Sequence, residues 1–181
     1  MLVPDAAKIA RYAPFSGTFR PRISIAVDMK HLLIVYHLPQ GKMLAMAEAV
    51  ERGARHADVS DVEVRVRLAL SAGVDDLLWA DALLLGTPEN FGYMSGGMKD
   101  FLDRTFYPCE GKLEGMSYAM FIGAGNDGSG ALNAIRRIAN GFSFKEACEP
   151  VLVVGALSDC HLEALETLGT TMAASLELGI L

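Results

Sequence analysis

Residues 80–105 read ADALLLGTPENFGYMSGGMKDFLDRT, and this stretch decides the fold. It opens on Ala82–Leu85, an apolar run typical of a strand covered on both faces of a parallel sheet. The run breaks at Gly86-Thr87-Pro88, and a loop of glycines, an amide, two aromatics and hydroxyls follows. Met98, Phe101, Leu102 and Thr105 then recur at helical spacing. A loop leaving the C-terminal end of a parallel strand is where α/β proteins place their ligands. Pro88 stiffens the exit, and Gly92, Gly96 and Gly97 let main chain approach a ligand closely. Asn90 can donate and accept hydrogen bonds, and Phe91 and Tyr93 offer faces for stacking. The set suits a flat polar ring better than a metal or a sugar.

The same strand-and-helix alternation continues on either side. His31–Tyr36 is a continuous apolar strand, and residues 43–55 form a helix with Met43, Met46, Ala47, Val50 and Ala54 on one face. Val62–Leu68 alternates apolar residues with Glu63, Arg65 and Arg67, as a half-exposed edge strand does. Val74–Trp79 is a short helical piece, Ser117–Ile122 a fourth strand, and Ala131–Asn140 a helix stopped by Asn140-Gly141. Val151–Val154 is a fifth strand, and residues 161–178 form the closing helix. Five strands alternating with helices predict a doubly wound α/β fold with a parallel sheet. An amphipathic second strand at one edge fits the order 2-1-3-4-5, whose switch point lies between strands 1 and 3. The loops at 37–42, 87–97 and 123–130 then converge on one crevice.

The chain has 181 residues, enough for one domain with a real core. Residues 29–181 are read as that domain, and residues 1–28, with prolines at 4, 14 and 21, as a loose arm or extension. The arm is basic and acid-poor, which faintly resembles a transit peptide, but it has no apolar signal core. It carries +2 of a total charge of −6, which leaves −8 on the body. An acidic body argues against nucleic acid. No run approaches the ~20 apolar residues of a membrane helix. Three scattered cysteines, Cys109, Cys148 and Cys160, point to free thiols in the reducing cytoplasm. No His or Cys pair has ligand spacing, so no metal is expected.

The first crevice loop, residues 37–42, feeds a helix N-terminus, where unpaired N–H groups suit a phosphate. His37, Gln40, Gly41, Lys42 and Met43 are its candidates, with Lys42 adding a charge. It is not a nucleotide-hydrolase P-loop, since its first glycine is missing and Met43 stands at the Ser/Thr position. Residues 123–128 spell GxGxxG, but too few βα units follow for a dinucleotide site. No catalytic residue is assigned. Ser95, Ser129 and Ser158 lack a nucleophile elbow, and the histidines have no evident carboxylate partner in sequence. Glu89 and Asp127 can face one crevice from different loops, but the reading of them as a paired acid and base is weak, since most such residues are solvated.

GTPENFGYMSGGMKDFLDRT (86–105) resembles the flavin-ring loop of flavodoxin-like NAD(P)H-dependent FMN reductases and quinone reductases. GAGNDGSGALNAIRRIA (123–139) is similar to the second ring-side loop of one branch, and HLLIVYH (31–37) to the first strand. The resemblance implies FMN as cofactor, NAD(P)H as substrate and a quinone or similar small acceptor, with the flavin performing the redox step. It implies ring contacts from Pro88, Glu89, Asn90, Phe91, Gly92 and Tyr93, and from Ala124, Gly125, Asn126 and Gly128. It places the phosphate on the first loop, where the family carries hydroxyls and this chain has Leu38, Gln40 and Met43. Two other readings stay open: a flavodoxin-type electron carrier, or an FMN-free binding or regulatory module. Dimers are common in the family, which leaves a homodimer open.

Overall fold

The computed structural model describes residues 29–38 and 41–181. The proposed arm at 1–28 and the candidate Gln40 lie outside the described residues.

The apolar strands line up as the periodicities demand. β1 (Lys30–Tyr36), β2 (Val62–Leu68), β3 (Ala82–Asn90) and β5 (Ser117–Ala124) form the order β2-β1-β3-β5, all parallel. Leu33 sits opposite Leu83 and Leu85 opposite Met120, so one face of adjacent strands is uniformly apolar. β2 is the edge, held by Arg65 and Arg67 on Asp76 and by Arg65 over the Trp79 ring.

Two differences from the five-strand expectation have simple causes. The expected fifth strand shares its edge with a second fragment. β6 (Lys145–Glu146) pairs with the start of β5 and β7 (Val151–Val154) with its end. Pro150 lies in the segment between, and a proline has no N–H to continue a ladder. The third strand does not stop at Leu85. It runs on to Asn90, then turns at Phe91-Gly92 into β4 (Tyr93–Met94), paired antiparallel with it. The predicted loop is therefore mostly a hairpin, and the sheet has seven strands.

Helices cover both faces. α2 (Val74–Trp79), α3 (Gly96–Cys109) and α4 (Ser129–Gly141) lie over Leu33, Leu83, Leu85, Met120 and Ile122, with Met98, Phe101 and Ile135 between. α1 (Met43–Ala54) and α5 (Asp159–Glu177) cover Leu32, Ile34, Leu84 and Phe121 through Met43, Met46, Leu165 and Met172. α1 and α5 are nearly in main-chain contact. A Cβ on Gly53 would stand 1.9 Å from Glu166 O, and one on Gly169 2.1 Å from Val50 O. Thr170 donates to Gly53 O at 2.9 Å across the same seam.

Candidate functional site

Three loops meet at the C-terminal ends of the strands, and a fourth joins them. Gly41, Lys42 and Met43 come from the β1–α1 loop, Pro88 from β3, Gly123, Ala124 and Gly125 from the end of β5, and Gly155, Ala156 and Leu157 from the β7–α5 loop. Together they line a cleft of about 390 Å3. Four of these ten residues are glycines, so the walls are largely main chain. The β7–α5 contribution was not foreseen. Its signal was available, because Gly155 directly follows a strand and Ser158-Asp159 opens a helix.

The hairpin side is latched to α4 through the backbone. A Cβ on Gly130 would lie 1.9 Å from Gly92 O, so Gly130 is where the hairpin rests. Glu89 then bridges to the start of α4, accepting from Gly130 N at 3.0 Å, Gly128 N at 3.3 Å and Ala131 N at 3.4 Å. A carboxylate at a helix N-terminus satisfies amides that the helix cannot pair. Asp127 accepts from Ser129 N at 2.9 Å, which lowers its pKa. The weak reading of Glu89 and Asp127 as paired acid and base is corrected here, because both carboxylates serve the entry to α4.

Phe91 and Gly92 form the hairpin turn with φ of 52° and 71°. Glycine favours this left-handed conformation; a phenylalanine rarely adopts it. Phe91 is also fully exposed, at 109%. Tyr93 is half-exposed and faces a different hollow, between α3 and α4, with Phe106 and Tyr107. Asn90, Gly92 and Asn126 are exposed and Gly128 is buried as the left-handed cap of α4, and none of the four lines the cleft.

Beneath the hairpin runs a buried hydroxyl chain. Thr87 Oγ1 and Ser95 Oγ are 2.9 Å apart, Ser95 N donates to Thr87 Oγ1 at 3.0 Å, and Ser95 Oγ lies 2.8 Å from His37 Nδ1. The His37 ring lies over Gly97, whose Cβ would stand 2.4 Å from it. Burial lowers the His37 pKa, favouring the neutral ring. Among the described residues no carboxylate bonds to His37, so the pair is not a triad. His31 and His56 approach carboxylates that their sequence positions do not make evident as triad partners, Asp81 at 3.5 Å and Asp58 at 3.6 Å. His31 lies near the start of β1, the far end of the sheet from the crevice.

The phosphate side differs in kind. Lys42 Nζ donates to Ala124 O at 3.0 Å, Val153 O at 2.6 Å and Gly155 O at 2.5 Å. Leu38 packs against the α1/α5-side core, and Met43 is 1% exposed. These two positions therefore complete the core and offer no hydroxyl to the crevice. What remains is Gly41, at φ 81°, and the first amides of α1, which lie beyond the helix's own hydrogen bonding.

A flavin ring fits this cleft: its four glycines leave room for a flat ring beside Pro88, and Phe91 is exposed at the tip of the adjoining hairpin. Among the described residues of the β1–α1 loop, the flavin's phosphate would find only backbone amides free. A larger hollow of about 550 Å3 runs along α1 and α5 around Arg52, Glu166 and Thr170. The Arg52–Glu166 ion pair, at 2.7 Å, spans it, and it lies away from the strand ends. Among the described residues no group of three His, Cys, Asp or Glu side chains is placed to hold a metal, and no helix is long and apolar enough to cross a membrane.

The architecture and the converging loops define a flavodoxin-like protein. A flavodoxin from the domain Archaea has the same fold, with a TM-score of 0.71 at 23% identity over 81% of this chain and 99% of that one. Rubredoxin oxygen:oxidoreductase from the anaerobe Desulfovibrio gigas matches with a TM-score of 0.69 at 17% identity, over 84% of this chain and 38% of that one. In sequence, residues 69–155 match the family described as NADPH-dependent FMN reductase. NAD(P)H dehydrogenase (quinone) of Acidithiobacillus ferrooxidans is 32% identical over 153 residues, 73% of this chain and 74% of that protein. A flavodoxin of Aquifex aeolicus is 35% identical over 102 residues, 56% of this chain and 54% of its own length. The chain thus spans between about half and three quarters of these two curated relatives. It belongs to the NAD(P)H dehydrogenase (quinone) family of flavodoxin-like proteins.

Proposed function

We propose that the protein is an FMN-dependent NAD(P)H oxidoreductase that reduces a quinone or a similar small acceptor in the cytoplasm. The observation that carries this reading is the glycine-walled cleft at the strand ends, with the hairpin latched beside it on Gly130 and Glu89. Bound FMN would supply the redox chemistry, accepting hydride from the nicotinamide and passing electrons on. The chain's own work is placement. Pro88 and the Gly123–Gly125 main chain would hold the ring edge, and the exposed Asn90 and Phe91 of the hairpin would reach the ring from outside the cleft. The Thr87–Ser95–His37 chain keeps the floor beneath the hairpin rigid without leaving a buried polar group unpaired.

The test is direct. Protein purified with excess FMN should retain flavin absorbance and should oxidise NAD(P)H when a quinone is present. Neither signal appearing would sink the proposal. The Aquifex relative supports a second reading, a flavodoxin-type electron carrier. Such a carrier would bind FMN but would not oxidise NAD(P)H without a partner reductase.

A further inference from the structure

Lys42 is the cation that a flavin phosphate would be expected to meet in the β1–α1 loop, and its geometry gives it another task. An ammonium group has three N–H donors, and all three are engaged by carbonyls from two other segments, Ala124 of β5 and Val153 and Gly155 at the end of β7. The side chain reaches them by lying across Gly123, whose missing Cβ would stand 3.1 Å from Lys42 Cε. Ala124 and Val153 are buried, at 4% and 0% exposure. Ala124 O also accepts from Gly155 N at 3.0 Å. Withdrawing the ammonium would leave it that main-chain partner but would strip both carbonyls of a charged donor, and buried carbonyls are costly to leave short of partners.

We propose that Lys42 is a strut tying the β1–α1 loop to the ends of β5 and β7 rather than a ligand for phosphate. The crevice then holds a flavin by its ring and ribityl chain, and binds riboflavin and FMN with affinities within tenfold of each other. This rests on the flavin reading above. The other described side chains of the loop agree with it. His37 is bonded to Ser95, Leu38 packs on the core, and Met43 is buried. Among the described residues, the anion preference left to the site comes from the amides at the start of α1, and a helix terminus of this kind contributes only a factor of a few.

Titration of the full chain with FMN and with riboflavin, followed by flavin fluorescence, reads the preference directly. The same titrations on Lys42→Met, with thermal unfolding of both proteins in the absence of flavin, read the strut. The wild type should bind both flavins with a preference for FMN below tenfold. Lys42→Met should unfold several degrees lower and leave that preference unchanged. A wild-type preference for FMN of tenfold or more overturns the proposal, and so does a preference that disappears in Lys42→Met. Binding of neither flavin by the wild type would instead remove the flavin reading on which the proposal rests, a result that a strong FMN preference cannot mimic. If Lys42→Met does not fold, Lys42→Gln keeps a single donating group, and the wild-type preference still decides the matter.

Discussion

On the hairpin side of the crevice main chain rests on main chain, with Gly92 O pressed against Gly130 and the Glu89 carboxylate closing over the start of α4. On the β1–α1 side a single long side chain, Lys42, spans from its loop to three carbonyls. The first arrangement tolerates almost no added atom, because backbone cannot move aside as a side-chain tip can. The second depends on one flexible residue and leaves its loop free to vary in composition. The β1–α1 side can therefore carry the apolar Leu38 and Met43, packed into the core, while Lys42 alone ties the loop across the crevice.

The largest effect should come from the hairpin latch. Gly130→Ala forces a methyl group into Gly92 O and should cost about 3 kcal/mol or more in urea unfolding, at the upper end of overpacking effects. Flavin affinity should fall with it. A loss under about 1 kcal/mol would show that the hairpin yields easily and would break the contrast. Next comes Glu89→Ala, which removes the bridge to α4 and should cost about 1–2 kcal/mol, the range for a lost helix cap. Urea denaturation reads it, and an unchanged midpoint would mean that water replaces the carboxylate at no cost.

A smaller effect should separate function from fold at the hairpin tip. Phe91 is exposed and left-handed, so Phe91→Gly should leave stability equal or raise it by up to about 1 kcal/mol. Flavin affinity should fall by up to about tenfold if the ring stacks there, as aromatic pairs contribute about 0.5–1.5 kcal/mol. Unchanged affinity would remove Phe91 from the site. The smallest effect concerns His37, at the junction of the two sides. Its folded pKa lies below the ordinary 6.5, so the unfolded chain binds the proton more readily. Stability attributable to His37 should therefore be complete above about pH 6.5 and decline as pH falls toward the folded pKa. The pH slope of unfolding should flatten in His37→Gln, and an identical slope would contradict the assignment.

The sheet was legible because its signals are local. HLLIVY, ALLL and SYAMFI are apolar on both faces, VEVRVRL alternates, and each was placed within a few residues of its observed strand. The hairpin was not legible. Gly86-Thr87-Pro88 reads as punctuation, yet β3 continues through it because its register with β5 reaches Pro88 opposite Gly123. The turn carries Phe91 where asparagine or glycine would have announced it. Of the candidates for the site, Gly41, Lys42, Met43, Pro88, Ala124 and Gly125 do line the cleft. Glu89 and Lys42 took roles that no spacing reveals, because their partners lie about 40 and between 82 and 113 residues further along the chain.

Gly53 and Gly169 allow α1 and α5 to seat against each other with no side chain between them at those points. The seat lies toward the end of α1 remote from the crevice, so the helix keeps its place whatever sequence precedes it. The β1–α1 loop is in that sense open to local redesign: hydroxyls introduced beside Gly41, with Lys42 kept as the strut and Met43 kept in the core, would arrive at a helix already anchored, and phosphate recognition could be rebuilt there.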